Sequence, residues 1–253
     1  MTAAPKHPRK LPDWLAHNTS PLKVLLIGSG GNGSEFFDGL MRLHQALIAL
    51  GGSGLQVTVL DDDEVMPSNI VRQRFWNHEV GMNKAVALAQ RTNMLMGTAW
   101  EARPVRYDGQ KHTADLVVTA VDNLDARRLA LKNTDSRKLW LDMGCDRDRG
   151  QVILGRIGDT TLTSEWPNAV AHFPEMLERK DDNRPSCSAA ESLSRQDLMI
   201  NQTVAGAAIN LLWKMMRTGQ ADYNGVMIDL AEGDQTAIPF MAPQNQQPEH
   251  TTP

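Results

Sequence analysis

Five short groups of residues between Val24 and Asn123 have the types and the order needed to handle a nucleoside triphosphate. They are Gly28-Ser29-Gly30-Gly31-Asn32-Gly33, Asp61-Asp62-Asp63, Ser68-Asn69 with Arg72-Gln73, Gly81-Met82-Asn83-Lys84, and Val121-Asp122-Asn123. Gly28, Gly30, Gly31 and Gly33 let backbone approach phosphate oxygens, and the amides and dipole at the next helix's N-terminus favour that negative charge. Asp61, at a strand end with Asp63 close by, can accept hydrogen bonds from both hydroxyls of an unphosphorylated ribose. Asn69, Arg72 and Gln73 add a guanidinium and two amides, and Arg72 can bridge phosphate oxygens as a fork. Lys84 can place a compact charge where negative charge migrates at an α-phosphate. Asp122, followed by Asn123, suits Mg2+ together with phosphate oxygens and Asp61 or Asp63, and it equally suits the N-cap of a helix starting at Leu124.

The elements that must position these groups alternate in type. Lys23-Val24-Leu25-Leu26-Ile27 is an apolar run closed by glycine, as in a parallel strand covered on both faces. A helix is expected over about Ser34–Leu50, and Gly51-Gly52-Ser53-Gly54 ends it. Strand Gln56–Leu60, helix Lys84–Leu95, strand Asp115–Ala120, helix Leu124–Asn133 and strand Lys138–Met143 follow. This alternation predicts an α/β, Rossmann-like, doubly wound and mostly parallel sheet. Gln151–Ile157 and Val226–Ile228 continue it as a mixed C-terminal half, and a helical region opened by Ser188 and Glu191 reaches Arg217.

At 253 residues the chain suits one large domain. The formal net charge of −4 offers no electrostatic footprint for direct nucleic-acid binding. No apolar run approaches the ~20 residues that cross a bilayer, so no membrane association is expected. The N-terminus lacks the apolar core of a signal peptide, and two cysteines fit a reducing, cytoplasmic setting. The pair, Cys145 and Cys187, is too small for a four-thiolate zinc site.

A glycine turn followed by Asp61 also describes an NAD-dependent oxidoreductase, which would leave Arg72, Lys84 and Asp122 without a task. The full set resembles the ThiF/MoeB superfamily, the adenylating fold of ubiquitin-activating enzymes, over roughly Lys23 to Gly158. Ser68 to Gln73, the Gly81-to-Lys84 spacing and Val121-Asp122-Asn123 carry the likeness. The Pro185-Ser186-Cys187-Ser188-Ala189-Ala190-Glu191-Ser192 run is similar to the ThiF family of plasmid-type PRTRC cassettes.

The resemblance implies ATP-dependent adenylation of the C-terminal glycine carboxylate of a small ubiquitin-like protein, by a homodimer using Mg2+ and no zinc. By it Gly30 and Asp61 contact adenosine, Asn69, Arg72 and Lys84 contact phosphates, and Asp122 serves the metal. A carboxylic acid of pKa roughly 3.5 is already ionised at neutral pH, so no general base is required. Cys187 is the candidate acyl acceptor, its thiol activated by a helix start at Ser188 with Arg184 and Arg195 nearby, whereas Cys145 reads as packing. Arg9 is a candidate for an arginine reaching across a dimer. A non-catalytic nucleotide-binding adaptor is the remaining class. The expected organisation is a flexible arm over 1–20, one adenylating domain over 21–233 with a mobile crossover at 160–187, and a flexible tail over 234–253.

Overall fold

The computed structural model describes residues 7–16, 19–122, 124–178 and 196–242. Its centre is β2 (Leu22–Ile27), which pairs in parallel with β3 (Leu55–Leu60) on one side and β5 (Leu116–Thr119) on the other. Strand β4 (Glu101–Arg103) extends the β3 edge and β6 (Leu139–Cys145) the β5 edge, both parallel. The antiparallel half adds β7 (Arg149–Arg156), β9 (Gly225–Asp229) and β10 (Asp234–Ile238), giving the order β10-β9-β7-β6-β5-β2-β3-β4.

Successive residues of a strand point to opposite faces. Val24 and Leu26 therefore enter one core with α2 (Gly31–Ala49), α3 (Lys84–Met96) and α6 (Ile200–Thr218), while Leu25 and Ile27 enter a second with α4 (Leu124–Asn133) and α5 (Ala169–His172). Both faces of β2 are thus covered, which is why its sequence is a continuous apolar run. Connections from β2 and β5 leave on opposite faces, so a crevice opens at their carboxyl ends, where ligands of open α/β sheets sit. A buried network fixes that edge: Arg127 Nε donates to Asp142 Oδ1 at 2.6 Å, the Thr119 hydroxyl donates to the same oxygen, and Trp140 Nε1 donates to Thr119 Oγ1 at 2.8 Å.

Within the expected arm and tail, the described residues 7–16 and 234–242 include regular elements. Strand β1 (Arg9–Lys10) pairs with β8 (Gln220–Ala221), and a helical turn, α1, spans Asp13–Ala16. Strand β10 follows the expected domain end, with Phe240 buried against Trp166 at a ring separation of 5.6 Å. Its Asp234-Gln235-Thr236-Ala237-Ile238 has no inward apolar repeat because it is an edge strand held by backbone pairing to β9. Within 160–178, Trp166 and Asn168 are fully buried, and Asn168 caps α5. No helix among the described residues is long and apolar enough to cross a membrane.

Candidate functional site

The β2–α2 turn is built by glycine where nothing else fits. Gly28 has φ +88°, and a Cβ there would lie 2.6 Å from Val121 Cγ1 and 2.8 Å from the Ala120 carbonyl oxygen. A Cβ on Gly33 would lie 2.1 Å from the Gly28 carbonyl oxygen, so the helix start packs directly on the strand end. At Gly30, the N-cap, a Cβ would meet nothing within 4 Å. The space beside Gly30 is therefore open, and a helix N-terminus of this kind suits an anion.

Asp61 anchors this turn from the end of β3. Its Oδ2 accepts from the Ser29 amide at 2.6 Å and the Ser29 hydroxyl at 3.0 Å, and its Oδ1 accepts from the Asp63 amide at 2.9 Å. Burial raises the Asp61 carboxyl above the ordinary aspartate range, with Lys84 and the two amides pulling it back. Asn83 then ties the acidic turn to α3. Its Nδ2 donates to the carbonyls of Asp61 at 2.9 Å and Asp63 at 3.0 Å, while its Oδ1 accepts from Val86 N and caps the helix. The Lys84 side chain, only 8% exposed, reaches the 64% exposed carboxylate of Asp63 at 2.8 Å. An ammonium is thereby delivered from the interior to the rim of the crevice.

Arg72 arrives on a different segment. A 3-10 turn over Pro67–Asn69 is closed by Met66 N donating to Asn69 Oδ1 at 2.8 Å, and the Asn69 carbonyl accepts from Arg72 N at 3.1 Å and Gln73 N at 2.8 Å. The carbonyl end of the Asn69 side chain is therefore spent on holding the turn. Gln73 keeps its Oε1 buried with no hydrogen-bond partner. Glu79, buried and paired with Arg91, pins the following residues through Trp76 N at 2.8 Å.

Arg72 Nη1 donates to Gln196 Oε1 and, at 2.9 Å, to Asn201 Oδ1. Asn201 Nδ2 donates to Asn32 Oδ1 at 2.8 Å and to Cys145 Sγ at 3.3 Å, and Gln196 Nε2 also donates to that sulfur at 3.3 Å. Cys145 packs against the larger core, as expected, and its sulfur also accepts from the amides of Gln196 and Asn201. Burial pushes its thiol up from the ordinary value, with Arg72 opposing, and burial lowers the Arg72 guanidinium. Sequence reading missed Asn32, Gln196 and Asn201, since only the fold brings these distant amides together.

Asp122 is exposed, just past the end of β5, and next to the Val121 side chain that abuts Gly28. Among the described residues, the acidic side chains that converge within 4.8 Å are Asp61, Asp62 and Asp63, and Asp122 is not one of them. Asp61 is committed to the turn, Asp62 pairs with Arg106 at 3.3 Å and Asp63 with Lys84 at 2.8 Å. Asn123 and Cys187, with the Ser188–Glu191 helix start, lie outside the described residues. Arg9 donates Nε to the Glu165 carbonyl and Nη2 to the Met241 carbonyl, both at 2.8 Å, so it ties together the ends of its own chain. Beyond Asp61 a cleft of about 370 Å³ lies between Leu60 and Arg103, Arg106 and His112. Burial and Arg103 hold His112 below its ordinary pKa, favouring a neutral ring at that wall.

The ThiF family model matches residues 15–251. The chain belongs to the ThiF family. Solved structures sharing its fold include E. coli MccB with ATP, at TM-score 0.58 and 15% identity over 90% of this chain and 64% of the MccB chain. E. coli MccB alone aligns at TM-score 0.62 and 14% identity over 94% and 69% of the two chains. PaaA aligns at TM-score 0.57 and 14% identity over 90% and 65%. This ThiF-family chain thus spans a little under two thirds of the MccB chain solved with ATP. No curated protein matches the sequence.

Proposed function

We propose that this ThiF-family protein adenylates a carboxylate, that of the C-terminal glycine of a small ubiquitin-like protein, with ATP. The carboxylate oxygen attacks the α-phosphorus, the bond to the β-phosphate breaks, and pyrophosphate leaves as the acyl-adenylate forms. The observation that carries the reading is that two cations are tied to one glycine turn, Lys84 through the Asp61–Asp63 segment that holds Ser29 and Arg72 through Asn201, which packs on Gly31. A hydride-transfer site needs neither, whereas a triphosphate undergoing attack needs charge neutralised at its tail. The family and the shared fold with ATP-bound MccB support the nucleotide. MccB has also been solved with MccA, in keeping with a macromolecular or peptide-like second substrate here.

In this reading Gly30 and Gly31 accommodate the phosphates and Asp61, which shapes the turn, accepts from the ribose. Asn69 and Gln73 flank Arg72 along the nucleotide, and Asn123 follows Asp122 in the sequence. Asp122 would hold Mg2+, which when bound neutralises phosphate charge. The protein acts as a cytoplasmic homodimer of the PRTRC type, and Cys187 accepts the acyl group as a thioester with release of AMP.

Purified chain, ATP, Mg2+ and a small protein ending in Gly-Gly should yield AMP on that protein by mass spectrometry. Arg72→Ala and Asp122→Ala should each lower the yield at least ~100-fold with circular dichroism unchanged. Near-normal adduct in either variant removes that residue from the reaction. A hydroxylamine-sensitive link that persists in Cys187→Ala excludes the thioester.

A further inference from the structure

The two amides that hold Arg72 come from α6 and the residue run just before it, more than a hundred residues later. Asn201 is 3% exposed, yet each end of its carboxamide is used. Oδ1 accepts from Arg72 Nη1 at 2.9 Å, and Nδ2 donates to Asn32 Oδ1 at 2.8 Å and to Cys145 Sγ at 3.3 Å. A Cβ on Gly31 would lie 2.6 Å from this amide, so Asn201 packs flat against the backbone of the turn. Burying an amide costs free energy unless its partners are supplied, and an apolar side chain would fill the same space without that cost. What the amide adds is direction. A guanidinium has five donors on one planar fork, and fixing one nitrogen with two amide oxygens, from Asn201 and Gln196, fixes the plane of the whole group.

We infer that Asn201 is a positioning residue, assisted by Gln196, whose amide clamps Arg72 to the phosphate turn so that the start of α6 sets the affinity for the triphosphate. The role given to Arg72 rests on the adenylation reading. The clamp itself rests on the geometry of Asn32, Arg72, Cys145 and Asn201.

The test uses the full chain. Calorimetric titration with ATP and Mg2+ gives the affinity, and 15N NMR of the Arg72 guanidinium, assigned by its loss in Arg72→Lys, reports whether that group is held. Asn201→Ala should weaken ATP binding about tenfold, the scale of one hydrogen bond to a charged group, and should shift and sharpen the Arg72 signal. Gln196→Ala, at a less buried site, should act in the same direction and carries the test where Asn201→Ala fails to fold. Asn210→Ala, exposed on α6, serves as the control that changes neither. An unchanged Arg72 signal, ATP affinity within twofold of wild type, or a wild-type chain that binds no ATP overturns the clamp. If both readouts respond while the wild type forms no acyl-adenylate, the clamp stands and the adenylation reading falls.

Discussion

Asp61 serves local structure, and in the proposed reading it serves ligand selection as well. It accepts two hydrogen bonds from Ser29 in the glycine turn and one from the Asp63 amide, and its burial raises the proton affinity of the carboxyl. In the proposed reading Asp61 accepts from both ribose hydroxyls, which the ionised carboxylate does better than the protonated acid, so ATP binding should weaken as pH falls through this raised pKa. The sign follows from the shift: the acid limb lies above the ordinary aspartate value of about 3.9, not below it. Measured ATP affinity against pH checks this, and an acid limb at or below the ordinary value contradicts it. The local pattern of polar and cationic residues was legible because Asn69, Arg72, Gln73 and Lys84 sit at fixed short spacings behind β3. Their partners were not, since Gln196, Asn201 and Cys145 have no sequence relation to Arg72 and meet it only through the sheet. Cys145 read as packing, a small apolar residue at a strand end, and its amide donors stayed hidden for the same reason.

At the scale of elements, the strand, glycine turn and helix around Gly28 form the unit on which the site stands. Its strands and helices were readable from apolar runs and breakers, with boundaries off by one to a few residues where capping is by backbone alone, as at Gly30. Gly28→Ala would force a left-handed φ on an L-residue and press Cβ against Val121 and the Ala120 carbonyl. The left-handed penalty alone is about 1–2 kcal/mol, and the contact adds to it. Urea denaturation should show a loss at least that large together with lost ATP binding; a variant of wild-type stability would mean the turn relaxes at no cost. The end strands were illegible because pairing through backbone leaves no imprint on side-chain pattern: Arg9–Lys10 and Asp234–Ile238 are polar and mostly exposed.

Over the whole molecule, the two cores cover opposite faces of the eight-stranded sheet, and the antiparallel half extends that sheet beyond β6. The two chain ends close that second half together. Phe240 packs edge-on to Trp166, and Arg9 lies 5.1 Å over its ring. Phe240→Ala should therefore cost roughly 3–5 kcal/mol in urea denaturation, as truncation of a buried aromatic does. A loss below about 1 kcal/mol would return 234–242 to the status of a tail. The account as a whole turns on a triphosphate cradled between Lys84 and Arg72. Exchange of labelled pyrophosphate into ATP, by the full chain supplied with a protein ending in Gly-Gly, tests that most directly. The predicted result is exchange that requires the protein carboxylate and falls at least ~100-fold in Lys84→Ala; no exchange by the wild type, or hydride transfer from a nicotinamide by the same site, would contradict it.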